Sequence, residues 1–292
     1  MGVFGRSWEL TKLTFSIMKR EKELFIFPVL SIIFSVIFIA VILFPTIIIF
    51  LFRGETVVWG IIEYLLIFIT YFGLAFIAVF FNVCIVYTAA TTFSKKGARF
   101  WNTIRFAFSK IHLIFLWSLV SATVGLIFRI IENFAKKIKG VGGIVISIIN
   151  AIFGLAWSII TIFVVPGMVY HNLGPFAAIK RSVYVLKKTW GEYLIKVLGM
   201  GTSAFVFFIL GIALGVGLIY LGWMFGGIVV ALIIGFLVFI YLLSIIIFFS
   251  VASQIYDTAL YVYAESGVVV EPYTKEIMIK AFISKKKKMN LF

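Results

Sequence analysis

Long uncharged, apolar runs alternate with short basic segments along the whole chain. Residues 24–52 carry no charge, and from Tyr64 to Ser94 the only ionisable groups are Cys84 and tyrosine phenols. Thirty helical residues reach roughly 45 Å against a hydrocarbon core of about 30 Å, so such runs predict membrane-spanning helices that tilt or protrude. A shorter run covers about Ile111 to Phe128, and Arg129 to Lys139 is patterned to continue that helix. A further span is expected from Gly140 to about Val169, ending at Pro166-Gly167, and Pro45 is expected to kink or end the first span. Residues 197–256 contain no Asp, Glu, Lys, Arg or His, a run long enough to need a reversal. Glycines 222, 226 and 227, with Trp223 among them, supply it, which divides the run into spans at about 197–220 and 227–256. With the second span at about 57–94, following the short turn Arg53-Gly54-Glu55, the pattern predicts six spans.

Three segments between these runs have a helical rather than a uniform apolar pattern. Between Leu173 and Lys196, Phe176, Ile179, Val183, Leu186 and Trp190 share one face, and Arg181, Tyr184 and Lys188 the other, flanked by Lys180 and Lys187. Residues 1–23 set Glu9, Lys12, Ser16, Lys19, Arg20 and Glu23 against Leu10, Thr14, Ile17 and Met18, with Trp8 and Phe15 at the border. Residues 95–110 set Phe100, Ile104, Ala107 and Phe108, with Ile111, against Arg99, Asn102 and Lys110, and Phe106 breaks the pattern. Each predicts a helix lying in the membrane surface. The expected fold is therefore all-α: one polytopic membrane domain, 1–292, built as three repeats of an amphipathic interfacial helix plus a hairpin. The repeats fall at about 1–94, 95–170 and 171–256, followed by a tail at 257–292.

Composition agrees: 63% of residues are hydrophobic, 13% are charged, and the mean hydropathy is +1.19. The net charge of +15 admits nucleic acid or an anionic membrane as partner. The bases cluster beside apolar runs, which excludes nucleic acid and points to anionic headgroups. Lys and Arg number 21 in the four segments on the side of the termini and 5 in the three opposite loops, which places both termini and the three surface helices in the cytoplasm of a cell-membrane protein. Lys19, Arg20, Arg99, Lys110, Arg181, Lys188, Lys285 and Lys286 are candidate anionic-lipid contacts; alternatively, these bases only fix topology. About 29 uncharged residues after Glu23 exceed the apolar part of a cleavable signal, and the single cysteine, Cys84, leaves no intrachain disulfide.

Polar groups within spans point to candidate chemistry because each is costly in lipid without a partner. Asn82, Asn150 and Glu63 form a candidate intramembrane polar path; interhelical amide bonds and a headgroup position for Glu63 are the structural alternatives. Asp257 and Glu265, at the inner end of the last span, either pair with bases such as Arg181 or cap a solvated helix end. Gly211 and Gly215, with Gly227, Ala231 and Gly235, form small-residue faces suited to close packing within the last hairpin or between copies of the chain. His112 and His171 each lack a second ligand at helical spacing, so no metal or other cofactor is expected. Neither a Gly-x-Ser-x-Gly nor a phosphate-loop pattern occurs, and the chain is expected not to be an enzyme.

The segment Gly174 to Ser182, then Leu186-Lys187-Lys188 and Trp190, resembles a pattern of uncharacterised six-span prokaryotic membrane proteins, as do Arg6 to Leu10 and Ala259 to Ala264 with Gly267. That group is distantly similar to the membrane domain of glycerophosphodiester phosphodiesterases. The resemblance implies a fold and no catalytic residue, since the chemistry of that relative resides in a separate soluble domain. Internal repetition and the intramembrane polar residues favour passage of a small solute or ion. The alternative is an anionic-lipid-binding or membrane-organising scaffold without transport or catalysis.

Overall fold

The computed structural model of the chain describes residues 3–53, 61–95, 97, 99–138 and 140–274, and all regular structure among them is helical. Gly54 and Glu55 of the first expected turn, and Lys285 to Lys288, lie outside the described residues. Helix α1 (Val3–Arg20) and a 3-10 turn lead into α2 (Ile26–Arg53), followed by α3 (Ile61–Phe93), α4 (Phe100–Ser109) and α5 (Ile111–Lys137). Then come α6 (Val141–Ile160), α7 (Val164–His171), α8 (Pro175–Lys196), a π turn at Val197–Gly201, and α9 (Thr202–Ser266). Five stretches are long and apolar enough to cross a membrane: Lys22–Phe44, Tyr64–Phe93, Ile111–Lys137, Val141–His171 and Gly199–Ser266.

Two expectations from the prolines are corrected. Helix α2 runs through Pro45 to Arg53. In lipid every alternative backbone conformation exposes more unpaired groups than the one bond that proline forfeits. The run from Gly140 is not one helix ending at Pro166-Gly167 but two, interrupted at residues 161–163, with Pro166 and Gly167 inside α7. Thr161 Oγ1 donates back to the carbonyls of Trp157, at 2.8 Å, and Ser158, at 3.3 Å. Pro166 has no N–H for the carbonyl four residues before it, so the helical ladder fails at this point.

The chain divides into two compact units, Ile26–Lys187 and Met1–Phe25 with Lys188–Phe292. The boundary falls beside Thr189, whose φ of −117° and ψ of 19° kink α8. In the first unit, neighbouring helices run antiparallel. Phe38 packs over Gly73, where a Cβ would lie 2.0 Å from the ring, and Phe34 meets Phe81 at 5.8 Å, so α2 lies along α3. Phe72 and Phe115 join α3 to α5 edge to face at 5.1 Å, and Trp117 stacks on Trp157 between α5 and α6 at 6.0 Å. Helix α7 lies against α3. The buried residues gather at one end, in Phe81 to Ala89 of α3, Leu113 to Trp117 of α5 and Phe163 to Met168 around α7. Val36, Val41 and Phe44 of α2, and Ile144, Phe153 and Leu155 of α6, are exposed.

In the second unit, α1 buries Leu10, Thr11, Thr14, Ile17 and Met18 against α9 and the π turn, and Phe15 packs on Phe248 at 4.3 Å between centroids. Helix α9 reverses at Gly227, whose φ of 68° and ψ of −168° belong to a region that essentially only glycine enters. The arms 202–226 and 228–266 then lie together, Gly211 against Tyr241, Gly215 against Val238 and Gly222 against Ile234. A Cβ at Gly215 would sit 2.5 Å from Val238, while at Gly217 it would meet nothing within 4 Å. Gly215→Leu is therefore expected to destabilise the hairpin by about 1–3 kcal/mol, with Gly217→Ala tolerated. Detergent-titrated unfolding of the two variants checks this, and equal stability would show that the arms are not held by these contacts.

Candidate membrane-surface site

In the unit Ile26–Lys187 two short helices attach to the same end of the bundle. Helix α4 follows the C-terminus of α3 and α8 that of α7; α3 and α7 point the same way because α5 and α6 each reverse the chain. Thr103 and Ala107, one turn apart, are the buried residues of α4. The Thr103 and Thr88 hydroxyls share a hydrogen bond of 3.3 Å, and Phe106 stacks on Tyr87 at 4.0 Å. Helix α8 buries Ala178, Ser182 and Val185 at the same spacing. Ser182 Oγ accepts the N–H of Phe163 at 3.0 Å, closing a backbone donor at the break between α6 and α7. A hydroxyl at position 182 is thus what lets a broken helix end in a buried place. The opposite sides of both helices look outward: Trp101 and Phe176 are each 77% exposed, and Arg99, Arg105, Lys180 and Lys187 are exposed.

The bases singled out from sequence divide into two kinds. Lys110 Nζ donates to Asn172 Oδ1 at 2.7 Å and lies 5.4 Å from the Phe106 ring centroid, so it ties α4 to the α7–α8 turn. Arg181 sits 5.2 Å from the Tyr184 ring centroid. In the other unit, Lys188 Nζ donates to the carbonyl of Ala264 in the last turn of α9, where helix carbonyls lack partners. Lys19 and Arg20 are exposed in the last turn of α1, Arg20 lying 3.6 Å from Glu21, and Arg99 is exposed at the start of α4. Lys285 and Lys286 lie outside the described residues.

Residues 61–270 match a family of unknown function, DUF6159. The chain belongs to the DUF6159 family. No curated protein and no solved structure matches it. The segment shared with DUF6159 runs from α3 through α9, so the surfaces of α4 and α8 lie inside it, and α1 and α2 precede it.

The polar residues of the DUF6159 chain that were candidates for a path are not drawn together by any described contact. Asn82 is half-buried on α3. Asn150 Nδ2 donates to the carbonyl of Phe128 at 3.1 Å, an amide bond between α6 and α5, and its Oδ1 is buried without a partner among the described residues. Glu63 stands in the first turn of α3, with its side chain outside the described residues. Gly211, Gly215, Ala231 and Gly235 face the opposite arm of α9 or lie beside it, whereas Gly227 makes the reversal. Between the arms an open cavity of about 380 Å³ is lined by Ala204, Phe205, Phe208, Ile245, Ile246 and Phe249, all apolar. Among the described residues there is no cluster of three or more His, Cys, Asp or Glu that could hold a metal.

One polar cluster had not been expected. Tyr256, Thr258 and Tyr261 on the last turns of α9 are buried with Tyr273 and Thr14, and the Thr14 and Tyr273 hydroxyls lie 2.9 Å apart. The sequence signal was the recurrence of Tyr and Thr where the uncharged run ends. Burial pushes the Tyr273 phenol above its ordinary value; the Thr14 bond opposes this and the charge of Asp257 adds to it. Since the folded state holds this proton more tightly than the unfolded one, its stabilisation is complete below the ordinary phenol range and is lost as pH climbs through the raised value. Tyr273→Phe should flatten that alkaline loss in thermal unfolding scans taken across the phenol range; an unaltered profile would count against the assignment. In the unit Ile26–Lys187, Ser182→Ala removes the bond to the buried Phe163 N–H, a cost of about 1 kcal/mol, measurable as a lowered unfolding midpoint with helix content retained.

Proposed function

We propose that this DUF6159 protein is a multi-pass protein of the cell membrane with six spans and both termini in the cytoplasm, and that it gathers anionic lipid on the inner leaflet without catalysing a reaction. The observation that carries the proposal is the division of α4 and α8. Each buries one side against the bundle, Thr103 and Ala107 in α4 and Ala178, Ser182, Val185 and Leu186 in α8, and turns an aromatic ring and exposed bases away from it. Rings of that kind favour the headgroup layer, and bases beside it meet lipid phosphates. Six spans are supported by the five apolar helical stretches together with the reversal at Gly227 inside the longest. The cytoplasmic side is supported by the 21-to-5 division of Lys and Arg between the two sets of loops.

Solute passage is less well supported. It needs polar groups along a continuous route, yet Asn150 is committed to the Phe128 carbonyl and the cavity between the arms of α9 is lined by apolar side chains. Gathering of anionic lipid makes a direct prediction for the full chain in nanodiscs. Thermal stability should rise with the fraction of phosphatidylglycerol, each base near such a surface contributing about 1 kcal/mol. The gain should fade at 1 M salt, where screening acts over about 3 Å. Stability independent of phosphatidylglycerol fraction at low salt would end the proposal.

A further inference from the structure

Three helices of this chain repeat one register of four positions. Leu10, Thr103 and Ala178 occupy the first of them, and all are buried. Four residues on, Thr14, Ala107 and Ser182 are each 0% exposed. Two residues before the first position stand Trp8, Trp101 and Phe176, and two after it Lys12, Arg105 and Lys180. The ring and the base are thus four residues apart, one turn along the same face, and each is about 120–160° round the helix from the buried pair. Trp101 and Phe176 are exposed, and so are all three bases. Helices α1 and α4 share more than the register. Arg6 matches Arg99, Phe15 matches Phe108 and Ser16 matches Ser109, and both serine hydroxyls donate to the carbonyl three residues back at 2.7 Å.

We infer that each of these ring-and-base pairs, Trp8–Lys12, Trp101–Arg105 and Phe176–Lys180, holds the phosphate of one anionic lipid headgroup. This inference rests on the proposed gathering of lipid and names the atoms that perform it. The occupant is a bilayer lipid because α4 and α8 each follow directly on an apolar helix of membrane-spanning character, and because the outward charge of the three pairs is positive. The ring sits among glycerol and carbonyl groups, and the cation one turn away reaches the phosphate oxygens. Lys110 and Lys188, which the amphipathic pattern alone selects, donate to Asn172 Oδ1 and to the Ala264 carbonyl.

The test titrates the full chain in detergent with phosphatidylglycerol or phosphatidylcholine and counts retained lipids by native mass spectrometry. The unaltered chain should keep three phosphatidylglycerols. Lys12→Gln, Arg105→Gln and Lys180→Gln should each lose one of them, weakening its retention about fivefold or more, and the triple variant should lose all three. The charge-preserving triple Lys12→Arg, Arg105→Lys, Lys180→Arg should keep three, as should a triple of Arg129→Gln, Lys136→Gln and Lys137→Gln near the C-terminal end of α5, which removes equal charge off the register. Trp101→Ala and Phe176→Ala should each lose one lipid with every base in place, an independent reading if a Gln variant fails to extract. Equal losses from the two Gln triples would overturn the inference and leave general lipid gathering standing. An unaltered chain that retains no more phosphatidylglycerol than phosphatidylcholine would overturn the gathering itself.

Discussion

Lipid does not press apolar surfaces together as water does, and this sets where the chain can bury anything. Over much of α2, α6 and both arms of α9, large side chains such as Phe44, Leu155, Phe225 and Phe236 stay exposed. In water such surface would force collapse; in hydrocarbon it is neutral. Close contact at that depth comes instead from shape, as where Gly73 admits the Phe38 ring and Gly211 and Gly215 admit Tyr241 and Val238. The densely buried residues of the unit Ile26–Lys187 sit at the end where α4 and α8 attach, the end at which a solvent-driven core can form.

The same solvent governs the polar groups. A hydroxyl in hydrocarbon needs a partner, and most in this chain find one without leaving their own helix. Thr70 donates to Leu66, Ser118 to Ile114, Thr123 to Leu119, Ser244 to Ile240 and Thr258 to Gln254, each one turn back. The protons of these groups are satisfied within their own helices. Two side chains that reach further act where a ladder fails, Ser182 at the break before α7 and Lys188 at the end of α9. These hydroxyls, Ser182 and Lys188 thus answer to the helix backbone, and the proposed function is placed instead on the exposed bases of the surface helices.

Hydropathy made the apolar helices legible, since uncharged runs of that length admit few other structures, and the glycines at 222–227 announced the reversal in α9. The prolines misled because their effect depends on what else satisfies the backbone: Pro45 leaves α2 intact, whereas Pro166 acts together with Thr161. The amphipathic pattern of α8 was legible, but its docking face was not. The apolar stripe of Phe176, Ile179, Val183, Leu186 and Trp190 suggested one buried side; of these Leu186 is buried, but Ala178, Ser182 and Val185 are buried beside it while Phe176 and Trp190 are exposed. Hydropathy ranks residues by their aversion to water and says nothing of which small side chain fits a particular wall. The cluster of Tyr256, Tyr261 and Tyr273 escaped for a related reason, because buried phenols become intelligible only once Thr14, far away in the chain, is brought beside them.

The two sides of α1, α4 and α8 obey different constraints, and the proposed reading gives the outer side to anionic lipid. Their buried pairs vary in size and polarity, Leu10 with Thr14, Thr103 with Ala107 and Ala178 with Ser182, as they must if each helix docks on a different wall. The residues two before and two after the first buried position vary only within one class, a large aromatic ring and a base one turn later. Three unrelated protein surfaces would have selected three unrelated outer pairs. A single medium, apolar below and anionic above, would select the same pair each time, and in the proposed function that medium is an anionic lipid headgroup layer.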